Sequence, residues 1–340
     1  MSASSNQTPQ PKTDMHSSIR YLRFNIYLLC IALTFLLFFF SILFTLNTKN
    51  SLPPPPITAT ACIDEKFMFL HENDIQEASL ITTGSSATWR NLDFSAFKDV
   101  LPELTPVNTA PCYLNARQSA FYAEFLLENL RQTKTLVFVT HIRDFTTCPP
   151  GETTFFSKRL AKSYIFDKRK MSHLYLTNFR LLPFLGTIDD LALRRRPPDP
   201  EIENAGELFM DPFGSGPLVR TLDYYPPPTT DDTCFKALTQ LEDLAQKHNI
   251  KLIVAFVPEM PYYIANYDPE RRAHLNFYAR VAATLKSPDT FLIRTDHLNY
   301  PDDAFTDAVH LKRQATYAFS HYLAQEIDQH FAAIRATSEQ

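Results

Sequence analysis

Two short clusters near opposite ends of the sequence carry residue types able to transfer an acyl group. The first is Gly84-Ser85-Ser86, inside the run Ser79-Leu80-Ile81-Thr82-Thr83-Gly84-Ser85-Ser86-Ala87-Thr88-Trp89. It reads as a short buried strand, a glycine turn and the start of a helix. Gly84 is the only glycine before Gly151, in a chain with 6 glycines and 25 prolines. A chain this poor in glycine keeps one where the backbone needs an unusual conformation or another group comes close. The second cluster is Asp307-Ala308-Val309-His310. An acid three residues before a histidine can share its turn and hold the imidazole through Nδ1, with Nε2 facing a hydroxyl. Acyl transfer at serine needs a base for the hydroxyl proton, an acid to orient that base, and N–H donors for the oxyanion. The expectation is that Ser86 is the nucleophile, His310 the base and Asp307 its orienting acid. The Ser86 N–H, at the positive end of a helix, supplies part of the oxyanion site. The plainer reading of the same turn is a serine helix cap. Asp296-His297 is a competing pair, but adjacent side chains point in different directions.

These residues need elements to bring them together. Continuous apolar runs at Ser79–Thr83, Thr135–Thr140, Lys251–Pro258 and Thr290–Thr295 predict strands of a parallel sheet covered on both faces. A weaker run precedes Cys112 and continues to Leu114. Helical periodicity marks Asp93–Leu101, Ala116–Gln132, Thr233–His248, Asn276–Leu285 and Gln314–Ile334. Strands alternating with helices predict a doubly wound, mainly parallel α/β sheet in three layers. Ligands bind at the carboxyl ends of strands in such sheets. That edge would carry Ser86, the 307–310 loop and also His141, which ends the run at Thr140. Between 149 and 230 the alternation breaks, and a large insertion, part helical and part irregular, is expected there.

Ile26 to Leu46 runs without a charged side chain, long enough to cross a bilayer. Arg20 and Arg23 precede it. The positive-inside rule keeps residues 1–25 in the cytoplasm and exports the rest. This predicts a single-pass protein of the cytoplasmic (inner) membrane. Asn47 to Thr60, with Pro53 to Pro56, reads as a stiff spacer, and residues 47–75 as spacer and domain entry before a domain at 76–335. Cys62, Cys112, Cys148 and Cys234 then lie in an oxidising compartment, where two disulfides allow three pairings. No C-x-x-C pair or matching histidine spacing points to a metal. The charge balance, 33 Lys and Arg against 37 Asp and Glu, leaves no nucleic-acid footprint. Arg194-Arg195-Arg196 reads as a solvated loop.

Gly84-Ser85-Ser86 and Asp307-Ala308-Val309-His310 together resemble the SGNH/GDSL hydrolase superfamily. There a strand leads into G-D-S or G-S-S, whose last residue is the nucleophile, and a D-x-x-H near the C-terminus completes the triad. With the N-terminal anchor, and with Val137 to Phe145 as a strand running into a charged-aromatic ending, the chain is similar to one membrane-anchored subgroup. Its members serve cell-surface polysaccharide O-acetylation and teichoic-acid D-alanylation. The resemblance implies a serine acyltransferase or esterase acting on a cell-envelope glycan without a cofactor. It implies a membrane-bound partner that brings the acyl group across. The family's oxyanion glycine and asparagine have no counterparts in Leu114 to Ser119 or at Thr140-His141, and Asn115 is a substitute donor. A non-catalytic envelope scaffold that keeps the fold is the alternative.

Overall fold

The computed structural model describes residues 15–58, 60–149, 155–169, 171–179, 181–196, 207–216, 218 and 223–338. The chain divides into two units between Leu52 and Pro53. The first holds helix α1 (Met15–Thr48). Its stretch Ser18–Thr48 is long and apolar enough to cross a membrane, with a mean hydropathy of 2.7 over its most apolar 18-residue window. The helix begins earlier than Ile26, so Arg20 and Arg23 lie on its first turns rather than before it. The hydroxyls of Thr34, Ser41 and Thr45 each bond the carbonyl four residues back, so they leave no free donor on the helix surface.

The second unit is built on five parallel strands, β1 (Leu80–Thr82), β2 (Pro106–Val107), β3 (Thr135–Thr140), β4 (Lys251–Phe256) and β5 (Thr290–Ile293), in the order β2-β1-β3-β4-β5. The chain runs from β1 to one neighbour and later returns to the other, so a topological switch lies between β1 and β3. Four strands fall within the expected runs. The exception is β2, which lies earlier than the run around Cys112. Pro111 has no N–H for a ladder, and Cys112 is bonded to Cys62.

Side chains alternate across the sheet, as the strand period requires. Leu136, Phe138, Leu252, Val254 and Phe256 face one core. That core is completed by α2 (Ala61–Glu72), α5 (Ala116–Asn129), α9 (Asp232–Lys247) and α11 (Arg272–Thr284). Val137, Val139, Ile253 and Ala255 face the other. There α4 (Phe94–Val100), α10 (Pro261–Tyr267) and α12 (Arg313–Ser338) cover the sheet. The six-residue helix α3 (Ser86–Asn91) follows β1 directly.

Helix α2 falls in the expected domain entry, after the Pro-rich spacer. Ile63, Phe67 and Leu70, at helical spacing, are buried in the first core, and the compact unit begins at Pro53 rather than 76. Lys66 on the same helix is fully buried. Its Nζ donates to the carbonyls of Asn108 (2.9 Å) and Gly214 (2.7 Å) and lies 4.4 Å from the Trp89 ring centroid. Burial holds that ammonium well below its ordinary value. The stretch 149–230 contains α6 (Lys158–Ile165), α7 (Met171–Asn178) and α8 (Leu181–Arg194). α6 packs on α2. Arg195 is not solvated as expected, since its guanidinium pairs with the buried Glu65 at 2.6 Å.

Of the three possible cysteine pairings the structure shows Cys62–Cys112 and Cys148–Cys234. The second ties the turn after β3 to α9. Unfolded but unreduced protein is expected to expose one thiol, Cys30, and four more after reduction. Replacing Cys148 and Cys234 together by alanine should cost about 2–5 kcal/mol in denaturant unfolding, because the closed loop is long. A full thiol count without reduction would contradict these pairs.

Candidate active site

The site begins where β1 ends. Gly84 has φ of +131°, and a Cβ built there would lie 2.1 Å from Thr88 Oγ1. The Thr88 hydroxyl stands between the Thr83 carbonyl (3.0 Å) and the Val139 carbonyl (2.6 Å), so it clamps the turn to β3. Only glycine leaves room for that clamp. The two serines that follow have separate tasks. Ser85 is the helix cap. Its Oγ accepts from the Ala87 N–H at 3.1 Å and donates to Asp144 Oδ1 at 2.8 Å. Ser86 is half-buried, and its Oγ lies 3.0 Å from His310 Nε2.

His310 sits in a tight loop closed by the Thr306 N–H on the His310 carbonyl and by a bridge between Phe305 and Leu311. Asp307 shapes the loop and orients the ring together. Its Oδ1 accepts from the backbone N–H groups of Val309 (2.8 Å) and His310 (2.9 Å), and both carboxylate oxygens lie 2.9 Å from His310 Nδ1. Burial would raise this carboxyl. The His310 bond, the His310 charge and the two backbone donors outweigh burial and hold it below the ordinary carboxylate value. Asp307 therefore stays ionised beside the imidazole.

Asn91, the last residue of α3, is a positioning residue that sequence reasoning missed. Its Nδ2 donates to the Val309 carbonyl at 2.9 Å, and its Oδ1 accepts from the Leu311 N–H at 2.7 Å. The helix that starts with Ser86 thus grips the loop that carries His310. An asparagine at a helix end has many common uses, so no signal in the sequence marks this one. Asp144 was likewise not singled out. Besides Ser85 it accepts from Thr140 Oγ1 and from the His141 N–H. Burial pushes its carboxyl up to about 6, against those hydrogen bonds.

The expected donors are placed as follows. Ser86 is the first residue of α3, so its N–H has no intrahelical acceptor. Asn115 lines the same cavity, but it is the cap of α5. Its Oδ1 accepts from the Gln118 N–H at 2.9 Å, and its Nδ2 donates to the Thr147 carbonyl at 2.9 Å. The competing pair is not joined. Asp296 binds Arg294, and His297 meets Tyr322. A cavity of about 360 Å³ opens over Ser86 and His310, walled by Tyr113, Leu114, His141 and Arg143 among others. Tyr113 stands at φ +61° without being glycine, with its ring exposed. Such backbone in a non-glycine residue clusters at functional sites. Among the described residues no cluster of histidine, cysteine and carboxylate side chains could hold a metal ion.

This arrangement can deprotonate Ser86 through His310, hold the resulting imidazolium against Asp307, and accept a carbonyl compound from the cavity. Comparison of the chain with protein-family models, with curated proteins and with solved structures finds no match.

Proposed function

We propose that this protein is a serine acyltransferase or esterase of the SGNH type, anchored by α1 and acting on a cell-envelope glycan outside the cytoplasmic membrane. The observation that carries the reading is the chain of contacts from Ser86 Oγ to His310 Nε2 and from His310 Nδ1 to Asp307. Its position at a strand end beside the switch point supports it. So do two disulfides, which form in an oxidising compartment, and an apolar helix of spanning length.

In this mechanism Ser86 Oγ attacks the acyl carbonyl and passes its proton to His310 Nε2. The oxyanion forms beside the Ser86 N–H. The intermediate collapses to an acyl-serine as His310 protonates the leaving oxygen. A sugar hydroxyl, or water in an esterase, then enters, gives its proton to His310 and takes the acyl group. A membrane-bound partner would bring the acyl donor across.

The test uses the full chain in detergent with a fluorophosphonate probe. Covalent labelling is expected at Ser86 and at no other serine, and it should vanish in Ser86→Ala. A folded protein that is never labelled at Ser86 would overturn the reading. Transfer to an added oligosaccharide, against release of free acid, separates transferase from esterase.

A further inference from the structure

We propose that the Nε2–H of His141 donates a hydrogen bond to the oxyanion formed at Ser86. This rests on the acyl-transfer reading above. A tetrahedral intermediate needs more than one donor, and several polar side chains around Ser86 already hold other partners. The Ser85 hydroxyl donates to Asp144, the Asn115 amide to the Thr147 carbonyl, and the Arg143 guanidinium to the Tyr225 carbonyl at 2.7 Å.

His141 is placed for the task by the sheet. Thr82 of β1 pairs with Val137 of β3, and Ser86 and His141 each lie four residues beyond that pair, on neighbouring parallel strands. Both line the cavity. The ring is held at both ends of its residue. The backbone N–H of His141 is bonded by Asp144 Oδ2 at 3.1 Å, and Nδ1 accepts from the Arg143 N–H at 3.4 Å. A backbone N–H can only donate, so Nδ1 carries a lone pair and the ring proton sits on Nε2. Among the described residues nothing accepts from that Nε2.

The charge state suits a donor. Burial, then the neighbouring His274, Arg143 and His310, push the imidazole well below its ordinary value, so it stays neutral. Two histidines thus share one cavity and are made different by their partners. His310 has a carboxylate on Nδ1 and takes a proton at Nε2. His141 has an N–H on Nδ1 and offers one. A neutral donor stabilises the oxyanion without competing for the serine proton.

The test follows Ser86-dependent hydrolysis of 4-nitrophenyl acetate by the full chain, with Ser86→Ala as the baseline. His141→Phe keeps the ring shape and removes the donor. It is expected to lower kcat about 100-fold or more with little change in KM. His141→Gln restores an N–H donor and should recover at least tenfold over the phenylalanine variant. Turnover by His141→Phe within about threefold of wild type would overturn the proposal while leaving the triad reading intact. Wild-type turnover no greater than that of Ser86→Ala would overturn both. Should His141→Phe fail to fold, nitrogen NMR of the histidine-labelled wild type decides. His141 is expected as the neutral Nε2–H form at pH 7, and a proton on Nδ1 would overturn the assignment.

Discussion

Asp307→Asn is expected to lower turnover about 10⁴-fold while the protein keeps its thermal midpoint within a few degrees. The size follows from which oxygen does what. Oδ1 of Asp307 accepts two backbone N–H groups, and an asparagine Oδ1 can keep both. The amide nitrogen then takes the place of Oδ2, which lies 2.9 Å from His310 Nδ1. Oδ1 also lies 2.9 Å from Nδ1, but it already accepts those two backbone N–H groups, and an amide nitrogen only donates, so the favoured tautomer has Nδ1 as acceptor and the ring proton on Nε2. That nitrogen would then donate to Ser86 Oγ, where the mechanism needs it to accept. His310→Ala should be at least as damaging, because it removes the base outright, and it should not be worsened further by Asp307→Asn. Non-additivity of that kind is the mark of groups that act as one unit. The measurement is steady-state hydrolysis of 4-nitrophenyl acetate by the three variants. Asp307→Asn within tenfold of wild type would mean that the carboxylate serves the loop and not the imidazole.

The residues of the two end clusters were legible because each is local. Three residues at the end of an apolar run, and an acid three before a histidine, are patterns that a strand end and a tight turn would generate. The parallel sheet was legible for a similar reason, since continuous apolar runs have few other uses. What escaped reading depends on contacts between distant residues. Asn91 matters only because Val309 and Leu311 come within reach of its amide. Asp144 matters because β3 lies beside β1, which brings its carboxyl to Ser85. The prolines at 53–56 mark the expected spacer. Yet α2 follows them with four buried apolar residues and a buried lysine. That lysine pins the carbonyl of Gly214, a contact across 148 positions of sequence. β2, two residues long, is set by its pairing with β1 rather than by any run of its own.

Gly84→Ala is expected to damage stability and turnover together, and this joint loss tests how the turn places Ser86. The alanine would have to hold φ near +131°, a region that L side chains rarely adopt, at a cost of about 1–3 kcal/mol. Its Cβ would also meet Thr88 Oγ1 at 2.1 Å and the Phe138 ring at 3.1 Å. Thr88 cannot swing away freely, because its hydroxyl is engaged with the Thr83 and Val139 carbonyls. The strain must therefore move α3, and Ser86 lies on its first turn. The total loss should reach about 3–5 kcal/mol in denaturant unfolding, with turnover at low temperature down about 100-fold from misplacement of the hydroxyl. Pairing the change with Thr88→Ala separates the two causes. Thr88→Ala alone gives up the clamp, but in the Gly84→Ala background it also removes the closest collision. The double variant should then be more stable than the sum of the single losses predicts, by about 1 kcal/mol or more. The backbone strain stays, so turnover should remain depressed. Gly84→Ala with wild-type stability and turnover would make the glycine incidental, and would leave the position of Ser86 to be explained by the Asn91 and Asp144 contacts alone.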